Sequence, residues 1–259
     1  MLSIAYRKMG VRLNHVYFAN DYELKNIRKT CKMGDVIFLH GVDLKLDIEG
    51  FLLTEQKTLV KDLTLSEEEL FGGLSKHLRQ YVKRNYKDPV DIVIYESEEI
   101  LKKRNLLDEC KFLYEKMFND KGMRETFNKK LALEYCRESA LIILMAYIDG
   151  KAVGFSAIIF KEKDARWWLS AFDFRNPELD SQVLSRTHKR VIWDALLSCR
   201  SKGVTRFDFG GVNSFDEPNG IAKFKLEFEH ENKVTYRNYL VPRTLLGKLA
   251  VKVFKSRWR

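Results

Sequence analysis

A chain of 259 residues with 45% hydrophobic and 12% aromatic residues is long enough to bury a substantial core, which excludes a disordered or fibrous polypeptide. Its 46 Lys and Arg against 36 Asp and Glu leave a formal charge of +10. That balance favours polyanionic partners such as RNA, nucleotide diphosphates, lipid pyrophosphates or an anionic membrane surface, although a merely soluble basic protein carries the same signal.

Residues 1–57 contain two short expected strands, Val36 to Leu39 and the alternating Leu44 to Ile48, punctuated by Gly34, Gly41 and Gly50. They read as a reduced N-terminal subdomain or cap. Met1 to Phe18 mixes Arg7, Lys8, Arg12 and His15 into its apolar residues, so it lacks the apolar centre of a signal peptide. Ser66 opens a helix to about Asn85, with Glu69 as capping-box partner, and Gly72-Gly73 can split it in two. Asp88-Pro89 stops it, Val90 to Tyr95 alternates as a strand, and 98–118 and 126–137 read as helices.

Leu141 to Ile148 and Ala152 to Phe160 are the clearest strands, and Asp149-Gly150 between them suits a type I′ hairpin. Arg166 to Phe172 is a third, rich in aromatics. A helix over 184–202 precedes a strand at Phe207, and Val234 to Leu240 is the last strand. In the tail, 242–259, Leu246, Leu249, Ala250, Val253 and Phe254 recur at helical spacing, with Lys248, Lys252, Lys255 and Arg259 opposite. Such a basic amphipathic helix either lies in an anionic interface with Trp258 at headgroup depth or packs on the body.

The stretch Phe207-Asp208-Phe209-Gly210-Gly211 followed by Gly220-Ile221-Ala222-Lys223-Phe224-Lys225 carries the strongest functional signal. A buried strand delivers an acid and two glycines to an open edge, where a backbone can turn sharply or lie directly against a substrate. Together with the order of elements over roughly 58–240, it resembles the FemABX-like aminoacyltransferases. The resemblance implies an α/β (α+β) fold, with a GNAT-like mixed, mostly antiparallel sheet flanked by helices over 58–241. It also implies aminoacyl transfer, with Lys225 at the family's Phe-Lys position contacting the donor end or the developing negative charge, and Phe224 beside it. The residues alone equally allow Lys223 and Lys225 to point outward from a strand or turn while Phe224 and Leu226 face the core.

Asp208 is a candidate base for the attacking amine or an anchor for loop N–H groups that hold Gly210 and Gly211. Asp216, with Glu217, is a candidate ligand for an acceptor ammonium. Arg79, Lys83 and Arg84, near Lys76 and Lys87, form a candidate phosphate site, and Arg186, His188, Lys189 and Arg190 a second basic cluster. A CoA-dependent GNAT enzyme would cradle pyrophosphate in a glycine-rich turn before the 184–202 helix, but residues 173–182 hold no glycine and three acids. Cys31, Cys110, Cys136 and Cys199 show no ligand spacing and are expected to be reduced core residues, and no metal site is expected.

The expectation is a Fem-type transferase acting on an amine of a cell-envelope glycan or peptidoglycan precursor, cytoplasmic or peripheral at the inner face of the membrane. It needs no tightly bound cofactor, takes aminoacyl-tRNA or acyl-CoA as donor, and a nucleotide-linked or lipid-linked precursor as acceptor. Two alternatives stay open: an acyl-CoA-dependent N-acyltransferase of an amino sugar in polysaccharide biosynthesis, and a non-catalytic RNA- or membrane-binding module.

Overall fold

The computed structural model describes the chain except residues 32, 44, 47–50, 104 and 258–259, and except the side chains of 51–53 and 254–257. The elements run β1 (Leu2–Lys8), β2 (Val11–Tyr17), α1 (Asp21–Lys25), α2 (Ile27–Thr30), β3 (Val36–Val42), β4 (Phe51–Asp62), α3 (Glu67–Gly72), α4 (Lys76–Asn85), β5 (Asp91–Glu96) and α5 (Ser97–Lys102). They continue as α6 (Asn105–Asn119), α7 (Lys129–Arg137), β6 (Leu141–Ile148), β7 (Lys151–Lys161), β8 (Asp164–Phe172), α8 (Ser181–Ser201), β9 (Arg206–Asp208), α9 (Gly220–Leu226), β10 (Lys233–Pro242) and α10 (Leu245–Arg257). The chain divides into two compact units, Met1–Thr58 with Gly211–Pro218 and Lys233–Arg259, and Leu59–Gly210 with Asn219–Asn232.

In the second unit β6, β7 and β8 are antiparallel neighbours joined by tight turns, and Asp149 and Gly150, at φ 50 and 72, close the expected type I′ hairpin. β5 pairs antiparallel with β6 on the other side. Leu141 to Ala146 are all buried, because α8 packs on one face of this sheet and α6 and α7 on the other. β9 lies parallel to β8 and antiparallel to the end of β4. Parallel neighbours need a long crossover, and the 21-residue α8 supplies it. The mixed, mostly antiparallel sheet flanked by helices is the GNAT-like fold the sequence implies.

Local chemistry sets the helix ends. Ser66 and Glu69 form the expected capping box at α3, and the helix stops at Gly72 before α4 restarts from Ser75, whose hydroxyl accepts the Leu78 N–H. The single helix expected over 98–118 is instead broken at Lys103, where the backbone leaves helical geometry (φ −103, ψ 65) and α6 starts afresh. All four cysteines are free and buried, and burial raises each thiol above its usual range, up to about 12 for Cys136 and Cys199. Buried thiols of this kind are inert packing groups.

In the first unit β1 and β2 form an antiparallel hairpin, β3 lies parallel to β2, and β10 lies antiparallel to β3. Val16, Ile37, Leu39, Tyr239 and Val241 pack against Leu24 and Ile27 of α1 and α2, while Val36 and Leu240 meet Val251 of α10. Residues 1–58 hold more structure than the two expected strands. β1 and β2 escape a pattern reading because the charged Arg7, Lys8 and Arg12 crowd their tip and only Leu2, Ile4 and Val16 mark the inward face. The strand expected at 44–48 lies largely outside the described residues.

Gly154 is paired opposite Phe172, whose ring lies across its backbone; a Cβ there would sit 2.1 Å from Phe172 Cδ1. Gly154→Ala therefore forces the ring or strand to shift, and urea unfolding should show a loss of about 1–3 kcal/mol. A loss under about 0.5 kcal/mol would mean that the β7–β8 face is not packed this tightly.

Candidate active site

The site grows from the end of β9. Phe207 and Phe209 face the core and are fully buried, which turns Asp208 to the opposite side. Its register places it directly beside Arg166 of β8, and the two form an ion pair of 3.0 Å between Oδ2 and Nη1. The other carboxylate oxygen accepts the Gly210 N–H at 2.8 Å. Gly210 has φ +73, a left-handed conformation that glycine adopts without strain. The chain thus turns sharply one residue after the strand, held by the strand's own acid.

Lys225 approaches from α9. Asn219 caps this helix by accepting the Ala222 N–H, and Ala222, Lys225 and Phe228 follow at helical spacing on the inward face. Lys225 is 8% exposed. Its ammonium lies beside Gly210, 3.7 Å from where a Cβ would stand, and 5.3 Å from the centre of the Trp167 ring. Burial pulls its pKa down to about 8, against the opposing pull of Asp208 and with a smaller contribution from Arg166. The alternating strand or turn allowed by the sequence is therefore corrected: the segment is helical, and the lysine that such a strand would turn outward faces in.

An aromatic wall adjoins the lysine. Phe224 stacks on His188 with ring centres 4.4 Å apart and planes 16° from parallel, and Phe172 covers His188 at 4.5 Å. Trp167 lies 5.8 Å from His188 and 6.0 Å from Phe224. A regular strand would put Trp167 and Ser170 on opposite faces. The register shift between Ala157 and Ile158 inserts an extra residue at Trp168, which changes the parity and brings both to His188. Ser170 Oγ lies 3.2 Å from His188 Nε2, and burial draws the imidazole pKa down to about 3, so this ring stays neutral at physiological pH. Trp168 points the other way, to Tyr135 at 5.0 Å.

The remaining sequence candidates are placed as follows. Arg186 binds both oxygens of Asp88 at 2.7 and 2.8 Å, Lys189 holds Glu227 at 2.7 Å, and Arg190 pairs with Asp194 at 3.3 Å. The expected second basic cluster is thus a set of separate ion pairs, a correction that follows from acids distant in sequence and hence invisible to a local reading. Arg79 donates to the carbonyls of Gly72 and Leu74, ending α3, and Lys83 lies 5.5 Å from the Phe71 ring. Arg84 is exposed and lies apart from these two on α4. Gly211 and Asp216 belong to the first unit, where Asp216 is exposed in a loop closed by Ser214 Oγ.

Sequence reasoning missed Arg166, Trp167 and Ser170 as site residues. The available signal was the mixture of Arg, Trp and Ser in a strand otherwise buried. Among the described residues no cluster of His, Cys, Asp or Glu is set to hold a metal ion, and no helix is long and apolar enough to cross a membrane. At the N-terminus of α8, Asp180 Oδ1 accepts the N–H groups of Gln182 and Val183 at 2.7 and 3.2 Å. A hollow of about 480 Å³ in the same unit, lined by Glu96, Ser198 and Lys202, lies at the other end of α8 and holds only the Lys202–Glu96 ion pair.

The fold is shared with known transferases. FemX matches over 97% of this chain and 85% of its own, with TM-score 0.60 and 11% identity. The C-terminal domain of a lysylphosphatidylglycerol synthetase from Agrobacterium fabrum matches over 96% and 83%, with TM-score 0.57 and 15% identity. A lysylphosphatidylglycerol synthetase from Bacillus licheniformis matches over 96% and 84%, with TM-score 0.54 and 12% identity. No protein-family model and no curated protein sequence matches the chain.

Folded Lys225 gives up its proton near pH 8, whereas an unfolded lysine keeps its own to about pH 10.4. Between these values the unfolded chain binds more protons, so stability gains with rising pH. The unfolding free energy of wild type relative to Lys225→Met should increase by on the order of 2 kcal/mol from about pH 7.5 to about pH 10. A pH-independent difference would show that Lys225 titrates as an ordinary surface lysine.

Proposed function

We propose that this chain is an aminoacyltransferase that moves an aminoacyl group from the ester of an aminoacyl-tRNA onto an amine of a cell-envelope glycan or peptidoglycan precursor. The observation that carries this reading is Lys225, a buried ammonium set beside the sharp turn at Gly210 and walled by Trp167. In acyl transfer the amine nitrogen bonds the ester carbonyl carbon, negative charge gathers on the carbonyl oxygen, the C–O bond breaks, and the amine's proton leaves with the departing hydroxyl. An ammonium aimed at that oxygen in a water-poor site stabilises the charge as it forms. The lowered pKa makes Lys225 a stronger donor while leaving it protonated at neutral pH.

Asp208 supports an anchoring role over that of a base. Both its oxygens are engaged, one by the Gly210 N–H and one by Arg166, so it fixes the turn against which Lys225 sits. The acceptor amine then enters already neutral. Two further features favour tRNA over CoA. Asp180 fills the N-terminus of α8 with its own carboxylate and so places negative charge where a CoA pyrophosphate would need bare N–H groups. One fold neighbour is by name a synthetase of lysylphosphatidylglycerol, an aminoacylated lipid. Exposed Arg84, with Lys76 and Lys87, supplies positive charge for a phosphate backbone.

The test is transfer from radiolabelled aminoacyl-tRNA mixtures and from acyl-CoAs, side by side, onto nucleotide-linked and lipid-linked amine acceptors. Label should move from tRNA, and Lys225→Ala should lower the rate by roughly 10²- to 10³-fold with folding intact. Lys225→Arg should restore part of the rate and remove the loss of activity above about pH 8 that Lys225 deprotonation causes. Label moving only from CoA would replace this reading with an amino-sugar N-acyltransferase. Transfer from neither, with RNA binding unchanged by Lys225→Ala, would mark a non-catalytic module.

A further inference from the structure

The C-terminal helix packs on the first unit by a ridge the sequence did not single out, and this leaves its apolar stripe facing outward. At about 100° per residue, Gly247 and Val251 fall on one side of α10, Leu245, Leu246, Leu249 and Val253 on another, and Lys248 and Lys252 along one border. Gly247 and Val251 face the body: a Cβ on Gly247 would lie 2.0 Å from the Asp35 carbonyl oxygen, and Val251 packs with Val36 and Leu240. The stripe expected to bury is exposed instead, Leu245 by 81%, Leu246 by 47% and Leu249 by 63%.

The tip of the β1–β2 hairpin extends the same surface. Met9 is 91% exposed, the highest value among the exposed large hydrophobic residues. It lines, with Val11, Leu13, Phe38, Val251 and Val253, an apolar groove of about 440 Å³ between hairpin and helix. Cations border this surface. Arg7, Arg12 and Arg243 line a second hollow of about 420 Å³ that shares the hairpin and the start of α10. The one carboxylate lining it, Asp35, is engaged by the Arg12 N–H at 2.8 Å and Thr244 Oγ1 at 2.9 Å. Lys8, Lys248 and Lys252 are exposed beside the groove and stripe, and no acid follows Glu231 in the sequence.

We propose that this surface docks the protein on an anionic phospholipid bilayer. α10 lies in the plane of the interface with Leu245, Leu246, Leu249 and Met9 entering the headgroup–acyl boundary, and the arginines and lysines meet lipid phosphates. At 13 residues the helix is too short to span a bilayer, which takes about 20, so it rests on the surface. Charge decides between a bilayer and a second copy of the chain. A symmetric dimer through this stripe would press one ring of cations against another, whereas an anionic leaflet neutralises it.

Flotation of the full-length protein with vesicles tests the proposal without reference to any transfer activity. Binding to phosphatidylcholine vesicles containing about 30% phosphatidylglycerol should exceed binding to pure phosphatidylcholine by at least about tenfold and fall as salt rises from about 0.05 to about 0.5 M. Leu246→Glu/Leu249→Glu and, separately, Arg7→Glu/Arg243→Glu should each abolish most of that preference. The first pair changes only exposed side chains, and circular dichroism of each variant should match wild type. Equal binding to both vesicle types, or variants that bind as wild type does, would overturn the proposal. So would a dimer in sedimentation that Leu249→Glu makes monomeric without any vesicle binding, since the stripe would then be an interface between copies.

Discussion

The carboxylate of Asp208 ties the site together. One oxygen accepts the Gly210 N–H and the other pairs with Arg166, so the end of a three-residue strand, a left-handed turn and the neighbouring strand are fixed by one group. Lys225 is buried against that arrangement and carries a depressed pKa because burial outweighs the carboxylate's attraction. Without the Asp208–Arg166 pair the turn would lose its tether, and Lys225 would sit beside an uncompensated guanidinium. A buried charge is tolerable only where partners of this kind surround it.

The β8 bulge has a comparable role on the aromatic side. A single extra residue at Trp168 divides two adjacent tryptophans between opposite faces, one to the α7 core and one to the lysine. It also sets Ser170 against His188, whose neutral ring stacks on Phe224 of α9. The helix that brings Lys225 is thereby seated on a rigid aromatic surface. Around it, Lys189–Glu227 and Lys61–Glu229 fix the end of α9 and the chain that follows. A site built this way loses little entropy when a substrate arrives, since its groups are already held.

Much of this was legible in the sequence because the signals were local. The capping box at Ser66 and Glu69, the Asp149-Gly150 hairpin and the apolar runs of β6 and β7 depend on neighbours in the chain. Asp208 and Gly210 could be singled out for the same reason. What the sequence hid was long-range. Arg166 becomes Asp208's partner only through parallel pairing across α8, and the Asp88 partner of Arg186 lies 98 residues away. The burial of Lys225 was hidden by an ambiguity of period, since Phe-Lys alternation fits a strand as well as one turn of helix. On α10 the apolar stripe was visible but not its direction, which a small residue, Gly247, decides through close approach to Asp35.

The account rests on Lys225 as a buried, readily deprotonated ammonium that meets negative charge on the acyl carbonyl. The most direct measurement is an NMR titration of the Lys225 Cε carbon in ¹³C-lysine-labelled protein, assigned with Lys225→Arg, with and without a phosphonate analogue of an aminoacyl adenosine. The account predicts a free pKa of about 8, raised by more than about one unit when the analogue's anionic oxygen binds beside the ammonium. A free value near the ordinary 10.4, or a depressed value that the analogue leaves unmoved, would contradict it.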